Sequence, residues 1–126
     1  PLHPQVLQTL TPEALLTAHL SIAPATQVLR SDWPLFDIWR YNFTEDAPKP
    51  RGVPQDVAIT RPAFDPAPHL LPPGAAIWLS HLADGMSFGA AHEATVAAQP
   101  EFDLAAALTL ALSHGVFSAI STEDIE

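Results

Sequence analysis

The chain of 126 residues has no cysteine, and five Lys and Arg stand against fourteen Asp and Glu, which gives a net charge of −9. A chain of this length folds as one domain with its own core, and the absence of cysteine excludes a disulfide framework, thiolate metal ligands and a cysteine nucleophile. Every Lys and Arg lies at or before Arg61, so the second half has no permanent cation to neutralise phosphates, and nucleic acid is disfavoured as a partner.

The first part of the chain is predicted to hold a short helix, a strand and a longer helix. Thr11 suits an N-cap, and Pro12 follows at the first helical position. Residues 18–24 alternate like a half-buried strand, and residues 34–42 carry apolar side chains at helical spacing. Because one short helix precedes this pattern, residues 1–17 are interpreted as a linker left from a missing amino-terminal domain.

The middle of the chain is predicted to form a loop and two strands. Residues 44–55 are polar and rich in proline, which is typical of a loop. Residues 56–60 alternate clearly, and residues 68–71 are the best candidate for a returning strand. Pro66 and Pro68 lack a backbone N–H, so the edge of this strand is expected to offer fewer donors than usual.

The second half is predicted to contain three helices, over residues 74–83, 88–98 and 102–113. The last is apolar nearly all round and is therefore expected to be mostly buried. Several residues mark helix ends by their type: Ser87 is predicted as an N-cap, Pro100 and Asp103 are predicted to start the third helix, and Gly85 and Gly115 are predicted as stops. Residues 116–120 are predicted to be extended, and residues 122–126 are predicted to be a disordered tail.

The order of strand, helix, two strands and three helices is typical of an α+β domain of the winged-helix type with an extra N-terminal strand and helix. Residues 56–120, with "LLPPGAAIWLSHLADGMSFGAAHEA" and "FDLAAALTLALSHGVFSAI", resemble the PqqD-type peptide-recognition domain, the RiPP recognition element (RRE). The matching positions are Leu79, Asp84, Gly85, Leu104, Leu108, Gly115 and Val116. The resemblance implies a winged-helix domain over residues 18–121, with a small antiparallel sheet and a three-helix unit.

A second resemblance covers roughly residues 15–120. The stretch "LRSDWPLFDIW", followed by a strand that ends in Arg-Pro, is similar to the carboxy-terminal domain of the HvfC/BufC family. Members of that family normally carry an amino-terminal helical domain that was once described as DNA-binding. The resemblance implies a partner of HvfB/BufB/MbnB-type multinuclear iron oxygenases, which modify cysteines of ribosomally made precursor peptides. Such a partner holds no iron; it binds the leader peptide and presents the core peptide to the enzyme.

The last helix and the returning strand are the predicted peptide-binding site. A peptide can add to an exposed strand edge as a further strand while its alternate side chains enter an apolar groove. The last helix carries no Arg or Lys, which suits an apolar peptide better than DNA, although such a run also fits a plain core helix. The residues predicted to bind the peptide are His69, Leu70, Leu71, Leu104, Ala107, Leu108 and Ala111.

An aromatic cluster over residues 33–43 has two interpretations. It is either a lid packed over the sheet or an anchor against the partner enzyme, because aromatic residues are enriched at interface hot spots. The residues predicted to contact the partner are Trp33, Phe36, Trp39, Arg40 and Arg61.

Catalysis is not indicated by any motif. The six histidines lack the spacing of a zinc hydrolase, and no nucleophile, base and orienting group form a set. We therefore expect no enzyme activity, no metal and no cofactor, in a cytoplasmic protein without a signal peptide or membrane span. Two alternatives stay open: a winged-helix transcriptional regulator that binds DNA, and a dimerisation or scaffold module.

Overall fold

The computed structural model describes residues 2–61 and 66–121, so the predicted tail over 122–126 lies outside the described residues. Within them the chain is an α+β fold with two small antiparallel sheets. The helices are α1 (Pro4–Gln8), α2 (Pro12–Thr17), α3 (Leu35–Phe43), α4 (Ala75–Ala83), α5 (Phe88–Ala98) and α6 (Leu104–Ser113). The strands are β1 (His19–Ile22), β2 (Gln27–Leu29), β3 (Val57–Thr60), β4 (Ala67–Leu70) and β5 (Phe117–Ser121).

The structure has two separate sheets, whereas the resemblance implies one small antiparallel sheet. Strand β1 pairs with β5 at the other end of the chain, and a separate sheet has the order β2-β3-β4. Strand β2 is not predicted from the sequence, because its three residues show no alternation that marks a buried face, and only Val28 is even partly buried. Its pairing with β3, which places Val28 opposite Ala58, bridges a long separation in the chain.

The core is centred on Trp78 of α4, which is fully buried. Its ring centroid lies 6.5 Å from that of Phe88 on α5, 5.8 Å from that of Phe102 before α6 and 5.8 Å from that of Phe117 on β5. One indole therefore connects three helical segments to the β1–β5 sheet.

The predicted helix ends are confirmed where side chains cap them. The side chains of Thr11, Ser87 and Asp103 accept hydrogen bonds from backbone N–H groups three residues later, at 3.1, 3.2 and 3.1 Å. At the end of α6, the N–H of Val116 donates to the carbonyl of Ala111 at 3.0 Å, a bond typical of a helix that ends in a Schellman motif. This reversal directs the chain from α6 into β5.

Residues 2–17, predicted as a linker, contact the rest of the fold. The N–H of Leu2 donates to the carbonyl of Phe117 at 2.9 Å, and Leu2 and Leu15 pack against the core. Helix α2 packs against α5. Leu2 and helix α2 therefore belong to the same packed unit as the strands and helices that follow.

Candidate functional site

Strand β4 lies at an edge of the β2-β3-β4 sheet. The N–H of Leu71 donates to the carbonyl of Asp56 at 2.9 Å, and His69 pairs with Ala58. In an antiparallel ladder, backbone groups of successive residues point to opposite sides of the strand. The backbone groups of His69 therefore face β3, whereas those of Pro68 and Leu70 face away from it.

Pro68 consequently removes no hydrogen bond from the sheet. A proline is tolerated on an edge strand where its missing N–H would point outward, and Pro68 occupies such a position. The outer edge of β4 offers the N–H of Leu70 and the carbonyls of Pro68 and Leu70. A strand added at this edge would meet more acceptors than donors.

A cleft of about 880 Å³ opens at the carboxyl end of β4. Leu70 and Leu71 form one side, and Ala106 and Leu110 of α6 form another. The remaining lining residues come from the segment after β2, the segment before β3 and the segment before α4; they are Arg30, Ser31, Asp32, Val53, Pro54, Gln55, Asp56, Pro72 and Pro73. The cleft thus joins an unpaired strand edge to one face of the cation-free helix.

The face of α6 that lines the cleft differs from the predicted face. Ala107 and Ala111 are only 2% and 1% exposed and belong to the core, so neither lines the cleft. The partly buried Leu104 and Leu108 pack against the same core. At 3.6 residues per turn, the cleft face is rotated by one position, to Ala106 and Leu110. Small residues four apart are a signal of close helix packing that could have placed Ala107 and Ala111 inside.

One ion pair and one hydrogen bond hold two residues that line the cleft, Arg30 and Gln55. Arg30 Nε lies 3.4 Å from Asp56 Oδ2. The side-chain carbonyl Oε1 of Gln55 accepts from the N–H of Asp37 at 3.1 Å, which holds α3 beside the segment before β3. Sequence patterning indicated none of these polar residues, because each acts through a partner distant in the chain.

The predicted partner-contact residues lie in two places. Trp33 is 70% exposed, and the rings of Trp39 and Phe43 lie 5.5 Å apart on α3. Arg40 is engaged within the same helix, with its guanidinium 5.5 Å from the ring of Phe36 and 3.6 Å from a carboxylate oxygen of Asp37.

Arg61 lines a pocket with His69, and none of the described residues that line this pocket belongs to α3.

His69, predicted to contact the peptide, lines that second pocket rather than the cleft. Thr60 Oγ1 and His69 Nε2 lie 2.9 Å apart, and the imidazole of His114 stacks on that of His69 with ring centroids 3.8 Å apart. Burial, and secondarily the neighbouring His114, lowers the pKa of His69 from its ordinary value of 6.5.

This shift predicts a pH dependence of stability. Because the unfolded chain binds the proton of His69 more readily than the folded one, the free energy of unfolding should fall as the pH drops below 6.5. The loss should stay below about 1 kcal/mol because the ring is partly exposed to solvent. Urea denaturation at pH 7.5 and 5.5 measures it, and His69→Gln should flatten the difference. An unchanged slope in that variant would contradict the assignment.

Two features are absent from the described residues, a metal site and a membrane-spanning helix. No group of three His, Asp or Glu there is placed to hold a metal ion. No described helix is both long and apolar enough to cross a bilayer.

The chain matches no protein-family model, no curated protein and no solved structure.

Proposed function

We propose that this chain is a non-catalytic adaptor that binds the leader of a ribosomally made precursor peptide. The leader adds as a strand to the outer edge of β4 and places side chains in the adjacent cleft. The adaptor then presents the peptide to an HvfB/BufB/MbnB-like iron-dependent modifying enzyme in the cytoplasm. The observation that carries the proposal is the outer edge of β4, which pairs with no other described strand, beside a cleft walled by Leu70, Ala106 and Leu110.

The element order supports this function. A three-stranded antiparallel sheet, β2-β3-β4, is followed by the helices α4, α5 and α6. The resemblance to the PqqD-type element implies two strands followed by three helices, and β3, β4, α4, α5 and α6 follow that order, with β2 paired beside β3. Strand β4 and helix α6 flank the cleft.

The chemistry of the cleft favours a peptide over a duplex. The outward face of α6 presents Ala106 and Leu110, and the helix holds no Arg or Lys. Phosphate neutralisation supplies most of the affinity of non-specific DNA binding, and this helix contributes nothing to it. Backbone pairing and apolar contacts are what the site provides.

The exposed aromatic residues of α3 and the segment before it are the proposed contact with the modifying enzyme. Trp33 and Phe43 are 70% and 73% exposed, far more than residues packed as a lid over the sheet would be. Large aromatic side chains that lose this exposure on binding are typical interface hot spots.

Filling the cleft tests the peptide site. Ala106→Trp should weaken binding of a synthetic leader by at least about tenfold, because the indole would occupy the space beside Leu70, and a tenfold loss is about 1.4 kcal/mol. The leader sequence is taken from the short cysteine-containing reading frame that the proposal expects beside the chain's own gene, and calorimetry measures the affinity. Ala105→Trp is the matched control, since Ala105 is exposed but does not line the cleft.

Three results would count against the proposal. One is the absence of heat with the leader at high micromolar concentration, and another is equal binding by the two tryptophan variants. The third is binding to a DNA duplex that weakens steeply with salt, which would favour a transcriptional regulator. A dimer seen by light scattering without any peptide binding would favour a scaffold module.

A further inference from the structure

The second pocket, called here the histidine pocket, has a volume of about 430 Å³ and lies between the ends of β3 and α6 and the strand β4. Three of its lining side chains can carry positive charge: Arg61, His69 and His114. The other described lining residues are Ala23, Ala25, Thr26, Thr60, Leu112, Ser113 and Gly115, and none of them is acidic. The pocket therefore holds one permanent cation and two imidazoles that become cationic when protonated, in a chain whose net charge is −9.

Arg30 and Arg40 differ from Arg61 in that each lies beside a carboxylate of a described residue. Arg30 lies 3.4 Å from a carboxylate oxygen of Asp56, and Arg40 lies 3.6 Å from one of Asp37. In these pairs the counter-charge is supplied by the fold itself. In the histidine pocket no described lining residue supplies one.

The imidazoles of His69 and His114 lie close enough together for one bound anion to interact with both rings. Their centroids are 3.8 Å apart with an interplanar angle of 23°, and the hydrogen bond to Thr60 at 2.9 Å orients His69. Two protonated rings this close repel each other, and a nearby anion offsets that repulsion. Arg61, His69 and His114 are the charged or titratable groups that face the pocket from β3, β4 and α6.

The histidine pocket and the cleft are reached from successive residues of β4. His69 lines the pocket, and Leu70 lines the cleft. Leu71 also lines the cleft, and α6 contributes to both sites, with Ala106 and Leu110 in the cleft and His114 in the pocket. The two sites therefore follow each other along β4, and a peptide strand paired along its edge would pass both. The pocket suits a negative side chain of that peptide.

We propose that the histidine pocket binds a carboxylate, and that this carboxylate is an acidic side chain of the peptide on β4. The second part rests on the proposed function, whereas the first does not. A carboxylate accepts charge-assisted hydrogen bonds from a guanidinium and from an imidazolium, and the pocket lining offers both kinds of donor.

Two small probes test the pocket without the leader. Acetylglutamate amide and acetylglutamine amide differ only in the carboxylate, and their binding to the whole chain is followed by the ring C–H signals of His69 and His114 in NMR at pH 6 and constant ionic strength. The glutamate probe should shift both signals saturably, and the glutamine probe should not. At saturation the pKa of His69 should rise, because the bound carboxylate favours the protonated ring, so the affinity for the probe should fall about tenfold as the pH increases through the titration of that ring.

A pair of arginine variants provides the control. Arg61→Ala should weaken the glutamate probe at least fivefold, whereas Arg51→Ala, which removes an exposed arginine outside the pocket, should leave the affinity unchanged. Equal shifts with both probes, or equal effects of the two variants, would overturn the proposal. Inorganic phosphate that binds more than tenfold tighter than the glutamate probe would also overturn it, in favour of a phosphate site.

The leader separates this proposal from the proposed function. A leader that fails to bind, while the glutamate probe still shifts His69 and His114, overturns strand addition and leaves the carboxylate pocket standing. A leader that binds equally well to the chain and to Arg61→Ala overturns the assignment of the carboxylate to the peptide.

Discussion

Replacing Trp78 by alanine should lower the free energy of unfolding by about 3–5 kcal/mol, the range found when a buried aromatic side chain is truncated to alanine. Trp78 is fully buried, and its ring packs near Phe88, Phe102 and Phe117. The truncation would leave a cavity where α4, α5, the start of α6 and β5 meet. Since small domains are stable by only about 5–15 kcal/mol, the variant should be close to the limit of folding.

Urea denaturation followed by far-ultraviolet circular dichroism measures this loss. Trp33→Ala is the matched control, because Trp33 is 70% exposed and its removal should change stability by no more than about 0.5 kcal/mol. Trp78→Phe should lose less than Trp78→Ala, since the indole Nε1 of Trp78 is buried without a hydrogen-bond partner among the described residues. Equal stabilities of Trp78→Ala and Trp33→Ala would show that the core is centred elsewhere.

Gly74→Ala should be the next most damaging change, at about 2–4 kcal/mol. Gly74 has a φ of 83°, where a side chain costs about 1–2 kcal/mol. A Cβ there would also meet the Cβ of Phe102 at 2.9 Å and its Cδ1 at 3.0 Å. Forcing extra atoms into a packed core typically costs about another 1–3 kcal/mol. Gly74 connects the proline pair of the cleft to α4, so the same change should also disturb the cleft.

Alanine substitutions at two other glycines separate the cost of the backbone conformation from the cost of the close contact. Gly85 has a φ of 97° but nothing within 4 Å of an added Cβ, so Gly85→Ala should show the backbone cost alone. Gly52 has open space and no positive φ, so Gly52→Ala should be neutral or slightly stabilising, by up to about 1 kcal/mol. Thermal denaturation of the three variants should rank Gly52→Ala above Gly85→Ala and Gly74→Ala last; any other order contradicts the close approach of Phe102.

The helices show how much local patterning could predict. The boundaries of α5 coincide with the predicted 88–98, and α3, α4 and α6 lie within two residues of their predicted ranges. Their caps, stops and apolar spacing are all encoded within a few residues of each helix. The two missed elements, α1 and β2, have five and three residues, too few for any period to show.

The candidate site was predictable only in part. Its chain segments, the returning strand and the last helix, follow from the sequence and from its family resemblance. The face of α6 that lines the cleft does not follow from the sequence, because a helix that is apolar nearly all round has no single hydrophobic side. Packing against the core decides it: Ala107 and Ala111 are buried there, whereas Ala106 and Leu110 line the cleft.

The sequence by itself determined the positions of the four longer helices, the N-caps Thr11 and Ser87, the edge character of a strand that contains Pro68, and the absence of cations from the last helix. Only the tertiary structure decided that β1 pairs with β5 and that β2 completes the other sheet. It also decided that His69 stacks on His114 beside Arg61. The physical reason is range: caps and periodic faces arise from neighbours in the chain, whereas strand partners and pockets arise from contacts between segments that the chain keeps far apart.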